Sequence, residues 1–590
     1  MPVRRDDLKC SAHKSSYFGK SCKAAPLICL DHPKIANWSW VSLYGTSPNS
    51  TKRARRKDIK VCESRLSRRI REPSHLDNCF EGHSAKPTVT VVDDEPPAKT
   101  PVPVRPQPLE DMVTETAVSL LGPTALVQAR KSPSLERGLP VYDSLTRMLP
   151  FPPHFEFWWK KLGGPFASML ETSRYSPIAQ AKFLCFFYGT VIELMPPHDT
   201  SCSDSVMTID GSPVELSWVL PSSEEVAGGG RAPGKAKPRQ VRFAIEPMHP
   251  ASGRRLKGSV VLDYLTSPRG SLGLVVAGKD SMTWRTKTEE FMFPNSEGDE
   301  IPDGSRFFVG FDFLPNGTIA LKAYYLPAPP SPDPAQLALQ GPMKLWDVDY
   351  APLRRLVFDL EPALMEPLEL LLSYFESLED RHKPRIQIVS MDCVKSSENR
   401  LKIYCRPKEG SSWSDAVRSF TLGGRLKTPQ MEETVKDMER LWNTLFPHAN
   451  SSIDCDLRVA DLLDDEVSGE ASNGIRLDKK QHPVGGLLYY YSLFAGKESV
   501  YPKLYLPVTH YCPDDQFIAR AIEEYYNNSK RRSNATSGVG SEDWVAKEVA
   551  NTFNHRPLNE STGIHTYVTF ALKKNGSELT NYFSPEPFVY

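Results

Sequence analysis

A chain of 590 residues, 40% apolar and 24% charged, has an ordinary globular composition, which excludes collagen, coiled-coil and wholly disordered architectures. Lys+Arg and Asp+Glu both number 72, so bulk charge gives no reason to place nucleic acid or a membrane surface against the whole molecule. Proline is abundant, 52 residues or about 9% against an average of ~5%, and points to loops, linkers or many short strands.

Residues 1–105 differ from the rest. Up to residue 80 there are 17 Lys/Arg against 7 Asp/Glu, with a cluster KRARRK at Lys52–Lys57. Such a cluster suits a nuclear address or a nucleic-acid contact. Periodicity is poor there, so a solvated, disordered tail is the simpler expectation. Residues 84–108 hold seven prolines in 25 positions, a linker composition that extends rather than packs. From residue 106 the chain reads as one globular domain to Tyr590.

The eleven cysteines form no C-x-x-C pair, and five of them (Cys10, Cys22, Cys29, Cys62, Cys79) precede residue 80. Zinc sites need paired ligands at short spacing, so free thiols in a reducing compartment are expected. The start, MPVRRDDLK, has no apolar stretch behind it. The longest apolar run, Phe183 to Ile192, is about ten residues where a membrane span needs about 20. A cytoplasmic protein follows. Residues 229–236, GGRAPGKA, have the spacing of a phosphate loop. Ala236, however, stands where a magnesium-binding Ser/Thr belongs, no apolar strand precedes it and Pro238 closes it, so a plain loop is expected.

Helical periodicity appears over 155–172, 175–193, 352–378, 428–446, 514–528 and 541–555, with a break at Pro362 or Pro367 in the third. Runs of period two lie at 214–220, 241–247, 306–313, 319–327, 385–393, 400–407, 485–494, 501–508, 564–574 and 579–585. Turns such as Leu314–Gly317 and Lys395–Asn399 join neighbours into antiparallel hairpins. Hairpins alternate with helices, and a ring of hairpins with helices outside would close into a barrel and remove its sheet edges.

Residues two apart on a strand share a face. Lys322 and Tyr324 do so, as do Arg400, Lys402 and Tyr404, and Lys503 and Tyr505; Arg242 lies on a strand with a polar face of its own. The opposite faces (Leu321 and Ala323; Leu401, Ile403 and Cys405; Leu504 and Leu506) are aliphatic and suit a helical layer. One Lys-x-Tyr is usually a solvated strand face. Three of them imply an interior lined by cations, which would be expensive without an anionic guest. A diphosphate fits Arg and Lys. Tyr324, Tyr404, Tyr505, Tyr567 and Tyr582 would add π faces that stabilise a cation. That combination suits ionisation of a diphosphate ester. No Asp-Asp-x-x-Asp cluster completes a magnesium site, since DDEPP (93–97), DDEVS (464–468) and DDQFI (514–518) all fall short. Glu215, in an apolar strand context, reads as an edge carboxylate or as the acceptor of an indole N–H or phenol O–H; Asp210 and Glu246 are weaker substitutes.

In these residues the sequence resembles the dimethylallyltryptophan synthase superfamily of soluble aromatic prenyltransferases. The marks are SPVELSW (212–218), VRFAIEP (241–247), LKAYYLP (321–327), DC…NRLKIYCRP (392–407), KLYLPVTHY…DD (503–515) and HTYVTF…NYFSP (565–585). The resemblance implies an α+β fold, a closed ten-stranded antiparallel barrel ringed by helices. It also implies transfer of a dimethylallyl or longer prenyl group from its diphosphate to an aromatic ring, without a required metal or other cofactor. By motif position it makes Glu215 the acceptor-binding catalytic carboxylate. Arg242, Lys322, Arg400, Lys402 and Lys503 become the diphosphate-binding cations, and Tyr324, Tyr404, Tyr505, Tyr567 and Tyr582 the carbocation shield. Leu326 stands where many members carry another tyrosine, 221–238 reads as an insertion, and 1–105 has no counterpart. The expected acceptor is an indole, such as tryptophan or a cyclic dipeptide of secondary metabolism, with a polyketide-derived phenol as alternative. The expected partners are small molecules alone, neither nucleic acid nor membrane, with a homodimer left open. The competing reading is a catalytically dead barrel that binds partners through the basic tail.

Overall fold

The computed structural model of the chain describes residues 138–199, 205–220, 239–267, 270, 274–276, 281–294, 298–301, 304–328, 342–344, 348–407, 412–447, 486–528, 544–573 and 576–589. The basic tail, the Pro-rich linker, the 221–238 insertion with its 229–236 loop, and the clusters at 93–97 and 464–468 lie outside the described residues.

All ten period-two runs are strands: β1 (Val214–Val219), β2 (Gln240–Ile245), β3 (Phe307–Phe313), β4 (Ile319–Tyr325), β5 (Pro384–Asp392), β6 (Arg400–Pro407), β7 (Leu488–Phe494), β8 (Tyr501–Leu506), β9 (His565–Lys573) and β10 (Gly576–Phe583). Each pairs antiparallel with its neighbours in chain order, and β10 pairs back onto β1, Ser217 opposite Tyr582 and Val219 opposite Thr580. The expected closed ten-stranded barrel is therefore present. A two-residue strand, Val275–Val276, adds in parallel to β4, and Arg255–Leu256 pairs with Glu300–Ile301 apart from the barrel.

Turn chemistry sets the hairpins. Between β3 and β4 the Gly317 N–H donates to the Leu314 carbonyl at 2.9 Å with Gly317 at φ +85°, a conformation that glycine adopts without steric penalty. Between β5 and β6 the Glu398 N–H closes a turn on the Lys395 carbonyl.

The alternation of β6 separates two environments. Leu401, Ile403 and Cys405 are fully buried in the layer between barrel wall and helices, together with Leu321, Ala323, Leu504 and Leu506. Tyr404, Leu488, Tyr490, Tyr505 and Tyr567 form a second, separate buried cluster inside the barrel. The covering helices include Pro153–Trp158 and Gly164–Thr172 joined by a π turn, Pro177–Phe186, Ala351–Leu360, Met365–Glu376, Pro429–Leu445, Asp515–Asn528 and Trp544–Thr552. All six expected helical segments are thus helical. The third breaks at Glu361–Pro362, where Glu361 is extended and its carboxylate accepts from the Ala363 N–H. Pro367 sits in the first turn of the following helix, which tolerates it.

Among the described residues five further α-helices, Pro140–Met148, Gly258–Thr266, Ser281–Met292, Val508–Tyr511 and Trp413–Phe420, lie outside the segments of helical periodicity. The last is signalled only by its capping box, Ser412 with Asp415. No helix among the described residues is long and apolar enough to cross a membrane.

Ile403→Ala, which empties the outer wall, is expected to lower unfolding free energy by about 2–4 kcal/mol while leaving the prenyl transfer that the resemblance implies near the parent level per folded molecule. Denaturant titration alongside initial rates checks this; a transfer rate that collapses with the fold intact would contradict the separation of wall and lumen.

Candidate active site

Register brings the polar faces of β2 to β6 side by side inside the barrel. Arg242 lies opposite Asp312, Lys322 opposite Asp392, and Ser390 opposite Lys402. The result is a belt of alternating charge on five successive strands. Asp312 pairs with Arg242 at 3.3 Å and with Lys322. Asp392 pairs with Arg400 at 2.7 Å and with Lys402. Across the lumen, Glu578 lies 3.6 Å from Lys573. The Lys503 ammonium donates to Thr580 Oγ1 at 3.2 Å and to the Tyr582 hydroxyl at 3.3 Å.

The sequence pattern predicts the five cations held together with no charge of opposite sign between them. The structure corrects that: Asp312 and Asp392 stand between four of them, so the empty lumen is not held together against bare repulsion. A surplus remains. Six cations (Arg242, Lys322, Arg400, Lys402, Lys503, Lys573) and three carboxylates (Glu215, Asp312, Glu578) line one chamber, with Asp392 paired to Arg400 and Lys402 beside it; six cations against four carboxylates leave a formal excess of two positive charges. Burial would raise Asp392, but Lys402, Arg400 and Lys322 hold it well below the usual carboxylate range. Burial also pulls Lys322, Lys402 and Lys503 down from the usual ammonium range. Chemically, this is a preorganised cradle for a polyanion.

Beside the cationic chamber lies an apolar one of about 190 Å³, lined by Met207, Phe308, Leu326, Ile388, Leu488 and a set of tyrosines. The tyrosines form the boundary. Tyr324 and Tyr404 have ring centroids 6.1 Å apart, Tyr404 and Tyr505 6.0 Å, Tyr505 and Tyr567 5.7 Å, and Tyr505 and Tyr582 5.5 Å. Burial pushes the Tyr324, Tyr404 and Tyr505 phenols well above their ordinary range, so they stay neutral and offer intact π faces. The Lys503 ammonium sits 5.2 Å from the Tyr505 centroid and 5.3 Å from that of Tyr582, which marks where positive charge rests against these rings. Gly310, opposite Lys322 on β3, leaves room for the set: a Cβ there would come within 3.0 Å of the Tyr324 ring.

Glu215 lines both chambers. Its Oε1 accepts from Thr566 Oγ1 at 2.7 Å. Burial pushes its carboxyl up to about 8, with the Thr566 hydroxyl and the Lys503 ammonium opposing.

All eleven residues singled out in the sequence thus line one connected lumen. The two substitutes for Glu215 do not line either chamber. Asp210 accepts from Ser584 Oγ at 3.0 Å, and Glu246 pairs with Arg255 at 2.8 Å. In DDQFI, Asp514 caps a helix through the Phe517 N–H, and Asp515 is buried with Arg556 and His565.

The sequence reading missed Asp312, Asp392, Lys573, Glu578, Tyr490 and Thr566. Tyr490 belongs with the shield, its centroid 5.0 Å from that of Tyr404. Its signal was its position as the middle tyrosine of Tyr489-Tyr490-Tyr491, whose neighbours face outward, Tyr491 donating to the Ser419 carbonyl.

Comparison with known proteins bears on this arrangement. The family model described as tryptophan dimethylallyltransferase matches residues 154–539. A 4-O-dimethylallyl-L-tyrosine synthase of Claviceps purpurea (strain 20.1) is 27% identical over 446 residues, 74% of this chain and 89% of that protein. A 7-dimethylallyltryptophan synthase of Aspergillus fumigatus is 25% identical over 468 residues, 75% of this chain and 88% of that protein. The crystal structure of NotF in complex with brevianamide F and DMSPP matches with a TM-score of 0.54 at 18% identity, covering 76% of this chain and 99% of that one; at that identity the likeness speaks for the fold. With a match over most of the described domain, the chain belongs to the tryptophan dimethylallyltransferase family and is an aromatic prenyltransferase.

Proposed function

We propose that this prenyltransferase moves a dimethylallyl group, or a longer prenyl group, from its diphosphate to an indole-containing acceptor, a tryptophan derivative or a cyclic dipeptide. The observation that carries the reading is the contact of an anion cradle with a tyrosine-walled apolar chamber, with Glu215 common to both.

Arg242, Lys322, Arg400, Lys402 and Lys503 bind the diphosphate, joined by Lys573. The allylic C–O bond breaks and its electron pair leaves with the diphosphate oxygen. The developing anion meets cations already in place, so little reorganisation is needed at the moment of cleavage. The allyl cation lies among Tyr324, Tyr404, Tyr490, Tyr505, Tyr567 and Tyr582, whose faces stabilise it and keep water away. The aromatic ring attacks with a π pair, forming the C–C bond, and its ring proton passes to the released diphosphate held beside it. In its ionised form, which fills as pH rises toward about 8, Glu215 accepts the acceptor's N–H through Oε2 and enriches the ring in electron density. Leu326 enlarges the prenyl end of the apolar chamber where a tyrosine would fill it.

A phenol O–H is the second reading, favoured by the name of the Claviceps relative, which acts on tyrosine. The domain boundary is proposed at residue 106, with the preceding residues dispensable for transfer. Incubation with dimethylallyl diphosphate and a panel of indoles and phenols, read by mass shift, tests the acceptor. A gain on tyrosine alone would replace the first reading with the second, and no gain on any aromatic would remove both.

Glu215→Gln is expected to lower turnover by two or more orders of magnitude with the fold intact. The same variant tests the raised carboxyl. A buried acid whose native pKa lies near 8 holds its proton in the fold while the unfolded chain releases it near its ordinary value, so stability drains as pH rises through that window. Glu215→Gln should therefore gain melting temperature over the parent at pH 9 by several degrees more than at pH 4; an equal difference at both would contradict a buried, proton-retaining Glu215.

Transfer is expected to continue in excess EDTA, with less than a twofold loss, because the cations of the cradle supply the positive charge; strict dependence on added magnesium would contradict this. A chain starting at residue 106 is expected to keep its kcat within about twofold, measured on the same acceptor. A total loss of transfer from a folded truncated chain would make the tail part of the catalytic unit.

A further inference from the structure

Strand β9 breaks its own alternation at one point. His565 pairs with Phe583 and Val568 with Asn581, so two residues, Thr566 and Tyr567, oppose the single Tyr582 of β10. This is a β-bulge, a device that re-aims side chains beside active sites. Regular alternation would send Thr566 outward, because Tyr567 lines the apolar chamber. The bulge turns both inward, and Thr566 Oγ1 reaches Glu215 Oε1 at 2.7 Å across 351 residues of sequence.

The bulge is held from behind the wall. Asp515, with no exposed surface, accepts from the Ile564 N–H at 3.1 Å, the His565 N–H at 2.7 Å and His565 Nδ1 at 2.9 Å. Arg556 ties Asp515 at 2.6 Å to Glu586 at 2.7 Å. Two backbone donors and one ring donor immediately before Thr566 are thus fixed by one carboxylate that is itself fixed. Thr566 is 2% exposed, so its hydroxyl has no water to turn to.

We propose that Thr566, aimed by the bulge and anchored through Asp515, is a positioning residue that occupies Oε1 of Glu215 and thereby presents Oε2 to the acceptor. This rests on the acceptor-binding reading of Glu215. The other groups that face Glu215 are Lys503 on β8, Tyr567 on β9 and Tyr582 on β10, while β2 presents Ala244 opposite it. None of these is altered by removing the Thr566 hydroxyl, so a change in Glu215 behaviour in such a variant reports the one hydrogen bond. The hydroxyl donates to the anion and favours it; its loss shifts the ionisation of Glu215 upward.

The test uses the full chain with Thr566→Val and Thr566→Ser, melting temperature confirming the fold, and Thr566→Ala in place of Val should Val not fold. Two readouts are taken: the pH midpoint of the Glu215 carboxyl infrared band in ligand-free protein, assigned by its absence in Glu215→Gln, and the pH profile of kcat/KM for the aromatic acceptor. In the Val variant the midpoint and the acidic limb are both expected to move up by about one pH unit, so that kcat/KM at pH 7 falls about tenfold. The Ser variant should stay within twofold of the parent. An unmoved midpoint in Thr566→Val, or a Ser variant that behaves like Val, overturns the role of Thr566 whatever Glu215 does. A moved midpoint together with near-normal transfer by Glu215→Gln instead removes the acceptor-binding reading of Glu215, and the positioning role with it.

Discussion

Ten strands run antiparallel in chain order, and the pairing of β10 with β1 converts one face of the sheet into an interior. Everything functional depends on that closure. Left open, the same face would be a solvated surface of lysines and tyrosines, worth little to any ligand. Closed, it is a low-dielectric cavity in which each charge acts strongly on its neighbours and no raw sheet edge remains. The closing pair also sets local geometry, since β10 brings Tyr582 opposite Ser217, two residues past Glu215 on β1 and therefore on the same face of that strand.

The lumen handles its charge by alternation. Arg242, Asp312, Lys322, Asp392 and Lys402 occupy successive strands, so each buried charge has an opposite neighbour. Buried ion pairs are weak sources of stability because desolvation offsets their attraction. Their use here is geometric: two carboxylates hold four cations at fixed positions before any substrate arrives. The surplus on the Lys503 and Lys573 side then gives an anion a reason to enter. Tyrosines whose phenols stay neutral complete the arrangement, since they put π faces near the cradle without adding negative charge that would compete with the guest.

Much of this was legible in the sequence because a strand has period two. Lys322 and Tyr324, Lys402 and Tyr404, and Lys503 and Tyr505 face inward as their spacing requires, and the aliphatic residues between them pack outward. The reading failed where that period carries no contrast or is broken. Three consecutive tyrosines fill both faces of β7, so residue type carries no contrast there and only the middle position separates Tyr490 from Tyr489 and Tyr491. Asp312 and Asp392 sit singly in apolar strands, and only cross-strand register shows that each lies between two cations. Thr566 was hidden by the bulge, which places it on the face that alternation denies it. The five unforeseen helices span 4 to 12 residues, and their burial comes from tertiary packing rather than from a long amphipathic repeat.

Closure by the first and last strands also ties assembly to the order of synthesis. β1 leaves the ribosome about 360 residues ahead of its partner β10, an interval of roughly 20–70 s at ~5–20 residues per second. Throughout that interval β1 can pair only with β2, and its other edge stays open while the remaining hairpins are added one after another. The nascent chain is therefore a growing curved ribbon with two sticky sides until its final segment arrives. The free edge of β1 is exposed to mispairing until that last strand is made.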